Sequence, residues 1–194
     1  YKRQMLKSEF TMAIYIRKVT KSKWDWKNPV SHTVNASTLG TDGVTNCCKT
    51  SGNTLSIWKI DSETLASDND KKIVATLATD GGSLSPIDCV IFSDDDIKSC
   101  GLAVDQKDGE SLISDVKSMH YNIVGLDMNS VSALGLMINR KVSGVRNGNE
   151  IIQKTQLKKI DLGSIKSCIN QFIPKTSEAG NALILKSGFS KVYE

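Results

Sequence analysis

The chain has 194 residues, which is enough for one domain with a substantial core and too few for two comfortable ones. Hydrophobic residues make up 39% and charged residues 24%, as in ordinary globular proteins. No run of about 18 apolar residues is present, so we expect no transmembrane helix and no membrane partner. The net charge of +4 is a mild bias and does not indicate a protein dedicated to coating DNA.

The five cysteines are odd in number, and their spacing does not suggest a disulfide framework. Cys89 and Cys168 lie in apolar surroundings, where a free cysteine behaves as a small hydrophobic residue. This pattern favours a reducing compartment, and we expect a cytoplasmic protein. Residues 1–11 are polar and patternless, and we expect them to be a disordered extension or a remnant of expression.

In the first half of the chain, β-rich runs alternate with polar segments. Leu55 and Ile57 are predicted to share one face of a strand, with Trp58 and Ile60 on the other. A helix is predicted over 62–79, with Ser62 as its cap. The remaining expectations are a strand at 13–19, an irregular region at 31–53 with one short helix, a strand at 87–92, and a hairpin partner for that strand at 102–104.

The second half reads as helical. One apolar stripe recurs at spacings of three and four from Met128 to Val142, with Asp127 or Asn129 as cap. A second stripe runs from Leu162 to Phe172 and stops at Pro174. We therefore expect an α+β fold, in which a small mixed or antiparallel sheet from the N-terminal half is packed by helices from the C-terminal half. Residues 12–194 are expected to form one domain.

Two acidic motifs suggest a metal site. Pro86-Ile87-Asp88 would begin one strand, and Asp105-Gln106-Lys107 would end its neighbour. Carboxylates on adjacent strands can converge on a divalent cation such as Mg²⁺, and a nearby lysine can steady a developing phosphate charge. The pattern resembles that of the PD-(D/E)xK nucleases, with Ile87 as a departure between the proline and the aspartate. The resemblance covers about a quarter of the chain.

The resemblance implies a catalytic set of Asp88, Asp105 and Lys107, with Glu63 standing for the helical carboxylate that this family often uses. Asp88 and Asp105 would be the ligands of Mg²⁺ or Mn²⁺, and no other cofactor is expected. The alternative interpretation is a solvated acidic hairpin without a metal. Both histidines, His32 and His120, are expected to be structural or exposed.

A basic stretch connects the two predicted helices of the second half. On an exposed face its side chains would bind phosphates, and the alternative is a solvated helix end where cations are favourable. Trp24 and Trp26 lie beside further lysines and fit a nucleic-acid contact, a protein interface or a lid over the core. The candidate nucleic-acid-binding residues are Arg140, Lys141, Arg146, Lys154, Lys158 and Lys159.

Three functions remain open from the sequence. The first is a cytoplasmic, non-enzymatic interaction or accessory subunit of a multi-protein system such as a bacterial defence system, with a protein partner or a second copy of itself. The second is a metal-dependent nuclease that uses the carboxylate set. The third is a nucleic-acid-binding regulator that uses the basic stretch. They differ in their expected responses to salt, metal and single substitutions.

Overall fold

The computed structural model of the chain describes residues 12–35, 37, 39–48, 50–186 and 188–194. The prediction for residues 1–11 lies outside this part. In chain order, the strands are β1 (Ile14–Val19), β2 (Val30–Ser31), β3 (Leu55–Ile60), β4 (Ile87–Ser93), β5 (Ala103–Gln106), β6 (His120–Val124), β7 (Val145–Asn147), β8 (Glu150–Gln153) and β9 (Lys158–Ile160). The α-helices are α1 (Thr41–Cys47), α2 (Asp68–Thr79), α3 (Asp94–Ser99), α4 (Met128–Ser143), α5 (Leu162–Phe172) and α6 (Glu178–Ile184).

A six-stranded antiparallel sheet forms the centre of the fold, in the order β5-β6-β3-β1-β4-β9. A smaller sheet has the order β2-β7-β8, in which β2 is parallel to β7 and β8 is antiparallel to it. Short 3-10 helices occupy Lys21–Lys23, Ser114–Met119 and Phe189–Val192. The α+β class predicted from the sequence is confirmed. Within the described residues, no helix is long and apolar enough to cross a membrane.

Helices cover both faces of the large sheet. On the first face, α2, α5 and α6 pack over a core that includes Ile16, Trp58 and Cys89. On the second face, α1, α3 and α4 pack over a core that includes Leu55 and Ile57. The strand pattern explains this division, because successive side chains of a strand point to opposite faces. Each face is therefore defined by alternate residues of the same strands.

Several sequence predictions are confirmed by these elements. Leu55 and Ile57 share the second face, and Trp58 and Ile60 share the first. The side chain of Asp127 caps α4 by accepting a hydrogen bond from the backbone N–H of Ser130. The stripes of α4 and α5 lie in the core, as their spacing indicates.

The helix predicted over 62–79 begins later, at Asp68, with Ser67 as its cap. A local network of hydrogen bonds explains why the helix begins later. The backbone N–H of Asp61 donates to the Asp70 carboxylate at 2.7 Å, and the Ser67 hydroxyl donates to Asp61 at 2.7 Å. These bonds provide hydrogen-bond partners for polar groups before α2 without requiring a helical backbone there. The residues from Ser62 onward therefore form a turn, closed by a bond from the Leu65 N–H to the Ser62 carbonyl.

The predicted hairpin between 87–92 and 102–104 is wrong. The strand β4 pairs with β1 and β9, whereas β5 pairs with β6 at the opposite edge of the sheet. Ser93 and Asp96 exchange side-chain and backbone hydrogen bonds in a capping box, so the acidic run opens helix α3. That helix lies on the second face, and the chain reaches the far edge of the sheet after it. The strands β2, β6, β7, β8 and β9 were not predicted.

Candidate functional site

The two aspartates of the predicted metal site lie far apart. Three strands separate β4 from β5, so Asp88 and Asp105 are four strand spacings apart, or about 19 Å across the sheet at the usual spacing. They also point to opposite faces, since Asp88 shares its face with Val19 and Asp105 shares its face with Asn122. One cation therefore cannot contact both carboxylates. The predicted site required the segments 87–92 and 102–104 to pair as a hairpin, and they do not pair.

Asp88 has a structural environment of its own. One carboxylate oxygen lies 3.6 Å from the Lys21 ammonium group, and the other is buried without a hydrogen-bond partner among the described residues. Lys159 lies directly across on β9. Asp88 is therefore held among cations at one end of the sheet, where Lys21 neutralises its charge.

The other members of the predicted catalytic set are exposed. Asp105 lies on the edge strand β5, and Lys107 follows it on the same face. Glu63 lies in the turn before α2 rather than on a helix. The described residues contain no group of three or more His, Cys, Asp or Glu side chains that could hold a metal ion. The structure does not bring the four predicted residues together.

Half of the predicted nucleic-acid-binding stretch is engaged within the protein. The guanidinium of Arg140 donates to the carbonyls of His32 and Val34 at 3.4 Å, and Arg146 donates to the Pro29 carbonyl at 3.1 Å. The Lys141 ammonium lies 3.0 Å from Asp96, and its side chain is only 12% exposed. These three cations fasten α4 and β7 to neighbouring segments, so their charges are not displayed together on one open face.

The remaining three lysines differ in position. Lys154 is exposed after β8, and Lys159 is exposed on β9. Lys158 is half-buried on the opposite face of β9. Because neighbouring strand residues point to opposite faces, Lys158 and Lys159 cannot both contact the phosphates of one nucleic-acid backbone from the same side of the sheet. The predicted stretch is thus divided among several surfaces.

The two tryptophans also have different environments. Trp24 is buried, and its indole N–H donates to the Cys47 sulfur at 3.2 Å, as expected for a lid over the core. Trp26 is 41% exposed, with the Lys21 ammonium 4.8 Å from its ring centre. The Trp26 ring and Lys21 are therefore one connected surface feature that also contacts Asp88.

A polar cleft of about 530 Å³ opens on the first face of the large sheet. Its floor is a square of four side chains, because Ser56 lies opposite Asn122 and Trp58 lies opposite His120 across β3 and β6. The end of α2 forms one wall, and the loop at 107–110 forms the other. The further lining residues are Ser51, Thr54, Thr76, Leu77, Asp80, Lys107, Asp108, Gly109 and Glu110.

His120 is fixed in the floor of this cleft. Its Nδ1 lies 2.7 Å from the carbonyl oxygen of Lys107, and its ring meets Trp58 edge-on at 5.0 Å between centres. A carbonyl only accepts, so Nδ1 carries the proton, and Nε2 of a neutral ring is left as an acceptor. Gly109 packs against the ring so closely that a Cβ there would lie 2.6 Å from Cγ of His120. The ring orientation is therefore set by the loop.

Asn122 lies beside His120 and is only 9% exposed. Among the described residues, no hydrogen bond involves its side-chain amide, and the amide oxygen and nitrogen are not fully buried, so they reach the cleft. Its position in the cleft lining leaves the amide available to a ligand or to water. Neither His120 nor Asn122 was singled out as functional from the sequence. The alternation of polar His120 and Asn122 with Tyr121 and Ile123 is the period-two signal that identifies them as one strand face.

A second surface feature is the outer edge of the small sheet. The strand β8 lies at this edge, and its backbone on the outer side is unpaired among the described residues. Ile151 is 57% exposed and Ile152 is 54% exposed. The β7–β8 register shifts between Val145 and Arg146, so that Ile152 is an extra residue without a partner on β7, and both isoleucines are displayed at this edge. An exposed apolar edge strand is a typical site for pairing with another chain.

Comparison with known proteins identifies no relative: no protein-family model, no curated protein and no solved structure matches the chain. The geometry of the described residues is therefore the basis for a functional proposal.

Proposed function

We propose that this chain is a non-enzymatic interaction subunit that pairs through the outer edge of β8 with a second copy of itself. The observation that supports the proposal is the pair of exposed isoleucines on an unpaired edge strand. Strand addition provides backbone hydrogen bonds for affinity, and the side chains on each face provide specificity. Membership of a larger assembly, such as a defence system, is part of the same proposal.

The sequence of β8 suits antiparallel pairing with an identical strand. A two-fold axis between Ile151 and Ile152 sets each of them opposite the other residue of the second copy, so the apolar side chains of the two copies meet. The same register sets Glu150 opposite Gln153 of the second copy, and no like charges meet. This self-complementarity is why we commit to a second copy rather than to an unrelated strand.

The expected affinity is modest. Complete burial of an isoleucine is worth about 1.5–3 kcal/mol, so each half-exposed isoleucine contributes about 1 kcal/mol and the four of a dimer about 4 kcal/mol. Backbone hydrogen bonds add about 1 kcal/mol each. Association costs at least about 4 kcal/mol in lost freedom of motion. With about four such bonds, roughly 4 kcal/mol remains, so we expect a weak, reversible dimer with a Kd on the order of 1 mM.

Sedimentation velocity between about 30 µM and 1 mM tests the proposal. We expect the weight-average sedimentation coefficient of wild type to rise towards that of a dimer, and the Ile151→Lys/Ile152→Lys variant to remain monomeric. Leu185→Lys is the matched control, because Leu185 is 88% exposed and lies outside β8; it should dimerise as wild type does. A wild type that stays monomeric throughout, or a dimer that survives the double substitution, would refute the proposal.

A further inference from the structure

We infer that the cleft above His120 and Asn122 is a binding site for a guanidinium group. The site involves the first face of the large sheet and the loop at 107–110, and it is independent of the β8 edge. A negative result for this cleft would therefore not count against the proposed dimer.

The charge of the cleft lining favours a cation. Among the described lining residues, Asp80, Asp108 and Glu110 are carboxylates and Lys107 is the single cation. Outside the lining, Arg17 interacts with Asp80, so Asp108 and Glu110 are the carboxylates left for a ligand. Asp108 is oriented by a hydrogen bond of 3.0 Å from the Gln106 amide, and carboxylates attract a cation.

The hydrogen-bonding groups favour a ligand with several N–H donors. Because Nδ1 of His120 is used by the Lys107 carbonyl, Nε2 is the ring nitrogen that faces a ligand, and it accepts when the ring is neutral. Asn122 provides an amide oxygen to which no described residue donates a hydrogen bond, and the carboxylates provide further acceptors. A guanidinium carries five N–H donors in a plane and no acceptor, so its donors match this lining.

The shape of the cleft also suits a flat cation. Trp58 forms part of the floor, and guanidinium groups bind favourably against aromatic rings. The His120 ring cannot turn away, since Gly109 packs against it and the Lys107 carbonyl holds it. A rigid floor reduces the entropy lost on binding. The unpartnered, nine-tenths buried Asn122 is the observation that distinguishes this cleft from an ordinary acidic surface.

The test is a titration followed by ¹H–¹⁵N NMR, with butylguanidinium as the probe and neutral butylurea as its isosteric control. We expect butylguanidinium to shift the Asn122 side-chain amide and the Trp58 indole resonances, with butylurea at least about tenfold weaker. Asn122→Ala should raise the Kd by roughly tenfold, in the range for a hydrogen bond to a charged group. Glu110→Gln, at an exposed position, should weaken binding without affecting folding.

Asn149→Ala is the matched control variant, because Asn149 lies in the β7–β8 turn, outside the cleft. It should bind butylguanidinium as wild type does. The peptide acetyl-Gly-Arg-Gly-amide distinguishes the source of the group: shifts with the peptide indicate an arginine side chain, and shifts with butylguanidinium alone indicate a free small molecule. Equal shifts with butylurea, no shifts with either guanidinium probe, or unchanged binding in both Asn122→Ala and Glu110→Gln would overturn the inference.

Discussion

Cys89 provides a quantitative test of how the sheet is buried. It lies on β4 with 0% exposure, opposite Lys18 of β1. Burial raises the pKa of its thiol from 9.0 to about 12, with the Lys18 charge acting in the opposite direction. The native state therefore keeps the thiol protonated where the unfolded chain releases the proton. The contribution of this thiol to the free energy of unfolding is complete below about pH 9 and is lost as the pH rises towards 12.

The magnitude follows from these two pKa values. At pH 10, linkage predicts a loss of about 1.4 kcal/mol from this one thiol. At pH 7, Cys89→Ala removes one buried heavy atom and should cost about 1–1.5 kcal/mol. Since the variant lacks the ionisable group, the difference in unfolding free energy between wild type and variant should nearly vanish at pH 10. The Cys48 thiol, whose pKa burial also raises to about 12, is present in both proteins and cancels.

Urea denaturation at pH 7, 8, 9 and 10 under reducing conditions, followed by tryptophan fluorescence, measures this difference. Val90→Ala is the control, because Val90 is equally buried and does not ionise; its cost should stay constant with pH. A cost of Cys89→Ala that is also constant from pH 7 to 10 would show that the thiol is not buried as described.

Three further predictions concern residues placed by the structure. Lys141→Met should lower the free energy of unfolding by about 1–3 kcal/mol in a thermal or urea melt, because it leaves the partly buried Asp96 carboxylate unpaired; an unchanged melt would contradict this. Asp105→Ala should leave any Mg²⁺-dependent DNA or RNA cleavage unchanged, and a loss of cleavage would restore the predicted nuclease site. Gly180→Ala should lower the melting temperature sharply, since its Cβ would overlap the Pro174 carbonyl oxygen; a melting temperature within a degree of wild type would refute that packing.

The strands β1, β3, β4 and β5 could be predicted from alternation or from short apolar runs, but the neighbours of each strand could not. Alternation at 55–60 assigns Leu55 and Trp58 to opposite faces and contains no information on which strand lies alongside. The pairing of β4 depends on α3, whose start is marked by Ser93-Asp94-Asp95-Asp96, a capping signal that precedes the helix. The predicted metal site failed for this reason, since it required an adjacent pair of strands.

The candidate cleft was missed because it depends on strand pairing. His120 and Asn122 alternate with Tyr121 and Ile123, but only the pairing of β6 with β3 brings them beside Ser56 and Trp58. The basic stretch is visible in the sequence as a run of cations, but sequence does not reveal that Arg140 and Arg146 bind backbone carbonyls.

The central proposal, pairing through β8, is tested most directly by amide hydrogen exchange measured at several protein concentrations. The backbone amides of Glu150–Gln153 on the outer edge should gain protection as the concentration rises from about 30 µM to 1 mM, whereas the edge strand β5 should exchange equally at every concentration. Concentration-dependent protection confined to β8 is the predicted result. Exchange of β8 that does not change with concentration, or protection that appears at β5 instead, would contradict the account.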